Sequence, residues 1–185
     1  MARIPYPDLS ESPLVEQVEY IRGERRGRLS NLFAMQLHNA VVGRAWIDLG
    51  TAIRYRTALA SRARELAICE VARLLDYDFQ WRAHAPLAVE AGIAVESLGS
   101  LPDWREADGF TAEDRTVLEL TDAVTGAAEV PEALFARVTQ AFAPAEVMEL
   151  VSTIGFYGFG ARFLKTLQIT VDDDPYESTP VESRR

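Results

Sequence analysis

The sequence of 185 residues contains a single cysteine, Cys69, and only two histidines, His38 and His84. One cysteine excludes a disulfide framework within the chain and a zinc site built from several cysteines. No apolar run approaches the roughly 18 residues of a membrane-spanning helix, and the first residues lack the apolar stretch of a secretory signal. We therefore expect a cytoplasmic protein that has no membrane partner.

The composition favours a folded protein, since 48% of the residues are hydrophobic and 25% are charged. This apolar content excludes intrinsic disorder for most of the chain. A net charge of −9 makes nucleic acid an unfavourable partner. We expect an irregular lead-in over residues 1–12, a single all-α domain over residues 13–170, and an acidic flexible tail over residues 171–185.

Apolar residues recur at helical spacing along the whole domain, which predicts an all-α fold, a compact bundle of six to eight helices. Pro13, Pro131 and Pro144 each stand where a helix can begin, Asn39 and Ser61 are candidate N-caps, and Thr111 with Asp114 has capping-box spacing. The predicted helices are 13–27, 32–37, 40–55, 62–75, 79–91, 112–125, one beginning at 131, and 144–168.

The last helix contains three glycines, Gly155, Gly158 and Gly160, among aromatic residues. Each glycine costs about 1 kcal/mol relative to alanine in a helix, so a compensating contact is expected. We expect close packing against another helix or another subunit.

The candidates for acid–base chemistry are few because histidines are few. His84 follows Gln80 by four residues, so both side chains lie on the same, otherwise apolar face of one helix. Two interpretations stay open: His84 is either a structurally satisfied core histidine or a functional one. Glu65 is the second candidate; its alternative role is a first-turn residue paired with Arg62 or Arg64.

Two further residues are expected to be structural. His38 precedes the predicted cap Asn39 and has no carboxylate near it in the sequence. Cys69 stands among apolar neighbours in mid-helix, which is typical of an inert buried thiol.

Part of the sequence resembles the core motif of the carboxymuconolactone decarboxylase family. This part begins with Arg64-Glu65-Leu66 and continues through residues 77–93, where Trp81 and His84 form a Trp-x-x-His motif. That family includes the alkyl hydroperoxidase D-like proteins. The resemblance covers about residues 30–170. It implies an all-α fold that assembles into a homo-oligomer, a trimer or a hexamer.

The resemblance also assigns roles to individual residues. In the hydroperoxidase branch, the two cysteines of a Cys-x-x-Cys pair correspond to the positions of Tyr77 and Gln80. The relay glutamate of that branch corresponds to Glu65, and its histidine corresponds to His84. Without that pair, peroxide reduction by disulfide cycling is excluded, because the chemistry requires two sulfurs. In the decarboxylase branch a glutamate stands before the tryptophan. Here Gln80 replaces it, and an amide cannot carry a proton.

We therefore expect an enzyme of the carboxymuconolactone decarboxylase type that uses no cofactor and no metal. It would decarboxylate or enolise a small carboxylated or carbonyl compound, with His84 and Glu65 as the catalytic residues. The substrate-binding residues would be Gln80, Trp81 and Tyr77. The alternative is a hydroperoxidase-like fold without redox activity that acts as an oligomeric binding or scaffold protein.

Overall fold

The computed structural model describes residues 2–10, 12–25, 27 and 29–170, without the side chains of Ser12 and Pro13. The predicted acidic tail lies outside these residues. Within them the chain forms helices and no β-strand, which confirms the all-α fold. The nine α-helices of this part are α1 Ser12–Glu24, α2 Asn31–Gln36, α3 Ala40–Tyr55, α4 Ser61–Leu74, α5 Asp78–Glu90, α6 Val95–Gly99, α7 Ala112–Gly126, α8 Glu132–Ala141 and α9 Pro144–Leu167, with a 3₁₀ turn at Leu101–Asp103.

The described residues divide into two compact units. The first unit contains the residues up to Arg56 and those from Leu164 onward; the second unit is Thr57–Phe163. The single domain expected over residues 13–170 stays a prediction. None of the described helices combines the length and the apolar character that crossing a membrane requires.

The first unit contains α1, α2 and α3 around a small apolar core. As predicted, Asn39 caps α3, and its side-chain oxygen accepts hydrogen bonds from the backbone of Val41 and Val42 at 3.1 Å. His38 is exposed, and its Nε2 donates to the carbonyl of Pro5 at 2.7 Å. This contact holds the lead-in segment against α2 and agrees with the expected structural role of His38.

The second unit is organised around α4, against which α5 and α7 pack. The interior of α4 is buried on nearly all sides, as its apolar sequence predicts: Leu66, Ala67, Ile68 and Cys69 have no measurable exposure. The predicted capping box of Thr111 and Asp114 starts α7. Because most of α4 is enclosed, the buried polar side chains on it need partners from the protein.

Two local predictions in this unit are wrong. Ser61 is the first residue of α4 rather than its cap; Ala60 takes the cap position, and Ser61 Oγ instead accepts a hydrogen bond from Arg64. The sequence predicts no helix between residues 91 and 112, but residues 95–99 form α6, which buries Leu98. A helix of five residues is too short to produce a recognisable apolar period.

Glu70 is a fully buried carboxylate on α4 that the sequence analysis did not single out. Arg73 donates to both of its oxygens, from Nε at 2.8 Å and from the second terminal nitrogen. Burial raises the pKa of Glu70 to about 7; Arg73 opposes this increase and the carboxylate of Asp122 adds to it. The folded chain therefore holds this proton more tightly than the unfolded chain does.

We predict that Glu70 makes the protein less stable as the pH rises. A carboxyl whose pKa is higher in the folded state stabilises the fold at low pH, and that contribution is lost between about pH 4.5 and 7. From about pH 5 to about pH 8 the loss is roughly 2–3 kcal/mol. Urea unfolding at both pH values measures it, and Glu70→Gln should abolish the difference.

Glu113→Gln is the matched control, because Glu113 is exposed on α7. This variant should keep the pH dependence of the wild type. A Glu70→Gln protein that loses as much unfolding free energy over this pH range as the wild type would contradict the prediction.

Candidate functional site

The packing of α5 against α4 brings together the two residues predicted to be catalytic. His84 Nδ1 lies 2.7 Å from Glu65 Oε2, and each residue is only 4% exposed. A carboxylate oxygen accepts, so Nδ1 carries the hydrogen of this contact. Proton exchange with a ligand would therefore use Nε2, the other ring nitrogen.

Glu65 binds a second partner through its other oxygen. Arg64 Nε donates to Glu65 Oε1 at 3.2 Å, and a terminal nitrogen of Arg64 donates to Ser61 Oγ at 3.0 Å. Arg62, the other arginine considered from the sequence, is directed to Asp114, with Nε 2.9 Å from Oδ1. Glu65 thus pairs with Arg64, as one interpretation expected, but it is the fifth residue of α4 rather than a first-turn residue. It also contacts His84, and a catalytic role of Glu65 stays a prediction.

An aromatic ring from α9 completes the surroundings of the histidine. The rings of His84 and Tyr157 meet edge to face, with centroids 4.9 Å apart and ring planes at 82°. Tyr157 is buried. The sequence analysis assigned no role to this residue, and its only signal there was its place among the glycines of the last helix.

The predicted substrate-binding residues lie on or just before α5. Gln80 is buried, and its Nε2 donates to the backbone carbonyl of Ile68 on α4 at 3.0 Å. Tyr77 is buried and stacks on Phe79 at 6.0 Å between centroids, while Trp81 is half-buried. A role of these three residues in binding substrate stays a prediction.

Cys69 is enclosed in α4, four residues after Glu65. Burial, and secondarily the carboxylates of Glu65 and Glu70, raise the pKa of the Cys69 thiol to about 12. A thiol held in its neutral form is a poor nucleophile. The structure thus agrees with the expected inert thiol.

The site offers few ligands to a metal ion. Among the residues that the structure describes, no group of three His, Cys, Asp or Glu side chains is placed to hold one. The pair of Glu65 and His84 supplies two ligands, and a structural zinc site requires four. An imidazole and a carboxylate in contact can exchange a proton.

The fold and this site define an all-α protein in which a buried histidine–carboxylate pair joins two packed helices. The model of the carboxymuconolactone decarboxylase family matches residues 40–123. Residues 40–123 are thus similar to the carboxymuconolactone decarboxylase family, and the chain, with its single cysteine, lacks the Cys-x-x-Cys pair of the hydroperoxidase branch. No curated protein sequence matches this chain significantly.

Several solved structures share the fold. A peroxidase-related protein with an alkylhydroperoxidase AhpD core from Ralstonia eutropha JMP134 matches with a TM-score of 0.71 and 17% identity, over 93% of each chain. A peroxidase-related protein from Silicibacter sp. TM1040 matches with a TM-score of 0.73 and 15% identity, over 91% of this chain and 89% of that one.

A third structure carries a different activity. The debrominase Bmp8, in a variant complexed with 2,3,4-tribromopyrrole, matches with a TM-score of 0.72 and 14% identity, over 94% of this chain and 95% of that one. At such identities the likeness establishes the fold alone. Peroxidase-related proteins and a debrominase share it, so the reaction has to be argued from the residues of this chain.

We predict that Cys69 does not react with a thiol reagent in the folded protein. With a pKa of about 12, about one thiol in ten thousand is ionised at pH 8, and the side chain is fully buried. Ellman's reagent should label no thiol in the native protein and one thiol per chain after unfolding in urea. Stoichiometric labelling of the native protein within minutes would contradict this account of Cys69.

Proposed function

We propose that this protein is an enzyme of the carboxymuconolactone decarboxylase type that moves a proton to or from carbon without a cofactor. Its substrate is a small carboxylated or carbonyl compound, and the reaction is a decarboxylation or an enolisation. The observation that carries the proposal is the buried contact of 2.7 Å between His84 Nδ1 and Glu65 Oε2.

The pair suits the proton step that both reactions share. When a carbon–carboxylate bond breaks, its electrons stay on the substrate as an enolate and carbon dioxide leaves; the enolate then takes a proton at carbon. His84 would deliver this proton from Nε2, while Glu65 holds the hydrogen on Nδ1 and stabilises the charged ring. In enolisation the same nitrogen would remove the proton.

The remaining predicted residues would orient the substrate. Gln80 donates its amide nitrogen to Ile68, so its contact with a substrate would run through Oε1. Tyr77 and Trp81 flank Gln80 at the start of α5 and would supply apolar surface to a small organic acid.

One observation favours the alternative, an oligomeric binding or scaffold protein without catalysis. Glu65, Gln80 and His84 are each 5% exposed or less, and each makes a hydrogen bond to α4 or α5. Buried polar groups satisfied in this way also stabilise a helix pair without any chemistry. The two functions differ in whether His84 is needed for turnover.

The test uses small β-keto acids and γ-lactone carboxylates as probe substrates and measures the release of carbon dioxide. We expect the wild type to accelerate at least one probe, and His84→Ala to lower that rate about 10²–10⁴-fold, because general acid–base groups contribute that much. His38→Ala is the matched control and should keep the wild-type rate, since the exposed His38 ring is hydrogen-bonded to the carbonyl of Pro5 in the lead-in segment.

Circular dichroism and sedimentation would establish that both variants keep the fold and the assembly of the wild type. Turnover by His84→Ala close to the wild-type rate would refute the mechanism. A wild type that accelerates none of the probes would favour the scaffold.

We further propose that the protein forms a homo-oligomer through α9. Met148, Val151, Gly155 and Phe159 follow one face of this helix at helical spacing, and all four are exposed. A Cβ atom at Gly155 would meet nothing within 4 Å, so a second chain can approach the backbone there. A continuous exposed apolar stripe is typical of an interaction surface.

We predict that Phe159→Glu dissociates the oligomer into lighter species, because a carboxylate at the centre of an apolar contact cannot be buried without a partner. Light scattering coupled to size exclusion measures the mass. Phe135→Glu, an equally drastic change at an exposed phenylalanine of α8, should leave the mass unchanged. A monomeric wild type, or equal masses for Phe159→Glu and the wild type, would refute this interface.

A further inference from the structure

Arg64 shares the carboxylate of Glu65 with His84. Its Nε lies 3.2 Å from Oε1, while His84 Nδ1 lies 2.7 Å from Oε2 of the same group. We propose that Arg64 is a positioning residue that fixes this carboxylate against His84 and weakens the hold of His84 on its proton. The consequence for turnover rests on the proposed function, whereas the effect on the histidine does not.

The argument begins with the charge of a buried pair. A carboxylate alone beside an imidazole in a buried site strongly favours the protonated ring, because opposite charges attract more strongly where water is excluded. A histidine held in that form cannot accept a proton as a base. Glu65 and His84 are both 4% exposed, so solvent screens this attraction only weakly.

Arg64 changes that balance. Its side chain is only 13% exposed, and its guanidinium cannot lose its proton, so a fixed positive charge faces the same carboxylate at any pH. It neutralises part of the field that Glu65 exerts on His84, and it repels a proton on the ring. Both effects favour the neutral imidazole, which is the form that removes a proton from carbon in enolisation.

The placement of Arg64 argues against a role in joining helices. Its two hydrogen-bond partners, Ser61 and Glu65, both lie on its own helix α4. These local contacts hold the guanidinium in a fixed position relative to the carboxylate of Glu65.

Several other ionisable side chains of α4 and α5 are neutral or paired with other residues. Cys69 on α4 stays neutral because burial raises the pKa of its thiol, and the ring of Tyr157 on α9 meets that of His84 edge to face. The neighbouring charged residues of α4 and α5 are paired elsewhere, as Arg62 with Asp114, Glu70 with Arg73, and Arg82 with Asp78.

The experiment is an NMR titration of the imidazole signals in the full chain without any substrate. The two histidines give two sets of signals, and a His38→Gln spectrum assigns them. We expect Arg64→Met to raise the titration midpoint of His84 by about one pH unit, the size of effect that a charge within 4–6 Å produces. Arg64→Gln, which is also uncharged, should do the same if Arg64→Met fails to fold.

Two controls separate charge from structure. Arg64→Lys keeps the positive charge and should shift the midpoint by less than half as much as Arg64→Met. Arg82→Met removes the same net charge two residues from His84, but from an exposed pair with Asp78, and should shift it far less. The His38 signals, which belong to the first unit, should stay unchanged in every variant.

An Arg64→Met or Arg64→Gln midpoint that falls, or that moves no further than that of Arg82→Met, would overturn the proposal. The proposed function fails separately, when His84→Ala keeps its turnover. A clear rise in the midpoint together with full turnover by His84→Ala would therefore support the role of Arg64 and refute the enzyme.

Discussion

The hydrogen bond between Glu65 and His84 is the interaction on which the rest of this account depends. It crosses from α4 to α5, and both residues are almost fully buried. Removing one partner of such a pair leaves the other in an apolar interior at a cost of several kcal/mol. The helix pair and the chemistry therefore share one constraint: α4 and α5 have to pack so that a carboxylate and an imidazole meet.

Three buried ionisable side chains on α4 differ in the partners that face them. Glu65 faces an arginine and a histidine, and we propose that it exchanges protons with the histidine. Glu70 faces Arg73, and burial and the nearby Asp122 raise its pKa to about 7. Cys69 lies between them, and burial keeps its thiol protonated. One enclosed helix thus carries a candidate catalytic group, a pH-dependent stabilising group and an inert one.

Much of the fold could be predicted from local signals. The caps at Asn39 and Thr111 set the starts of α3 and α7 because their side chains bond to the next turn of backbone. Ser61 misled the prediction because its hydroxyl has a second option, Arg64. The five residues of α6 were too few to predict as a helix, since their burial depends on contacts distant in sequence.

The candidate site was predictable in its identity but not in its geometry. Only two histidines had to be weighed, and the resemblance singled out His84 and Glu65. The sequence could not choose between Arg62 and Arg64, because only the packed structure directs Arg62 to Asp114 and leaves Arg64 on Glu65. Tyr157 was not predicted, since α9 brings it to His84 from more than 70 residues further along the chain. The most direct test of the account is the uptake of deuterium beside the carbonyl of small keto acids in heavy water, followed by NMR. The account predicts uptake catalysed by the wild type and slowed at least about tenfold in Glu65→Gln, because enolisation needs the proton that this pair transfers. Equal rates for the wild type and Glu65→Gln would contradict it.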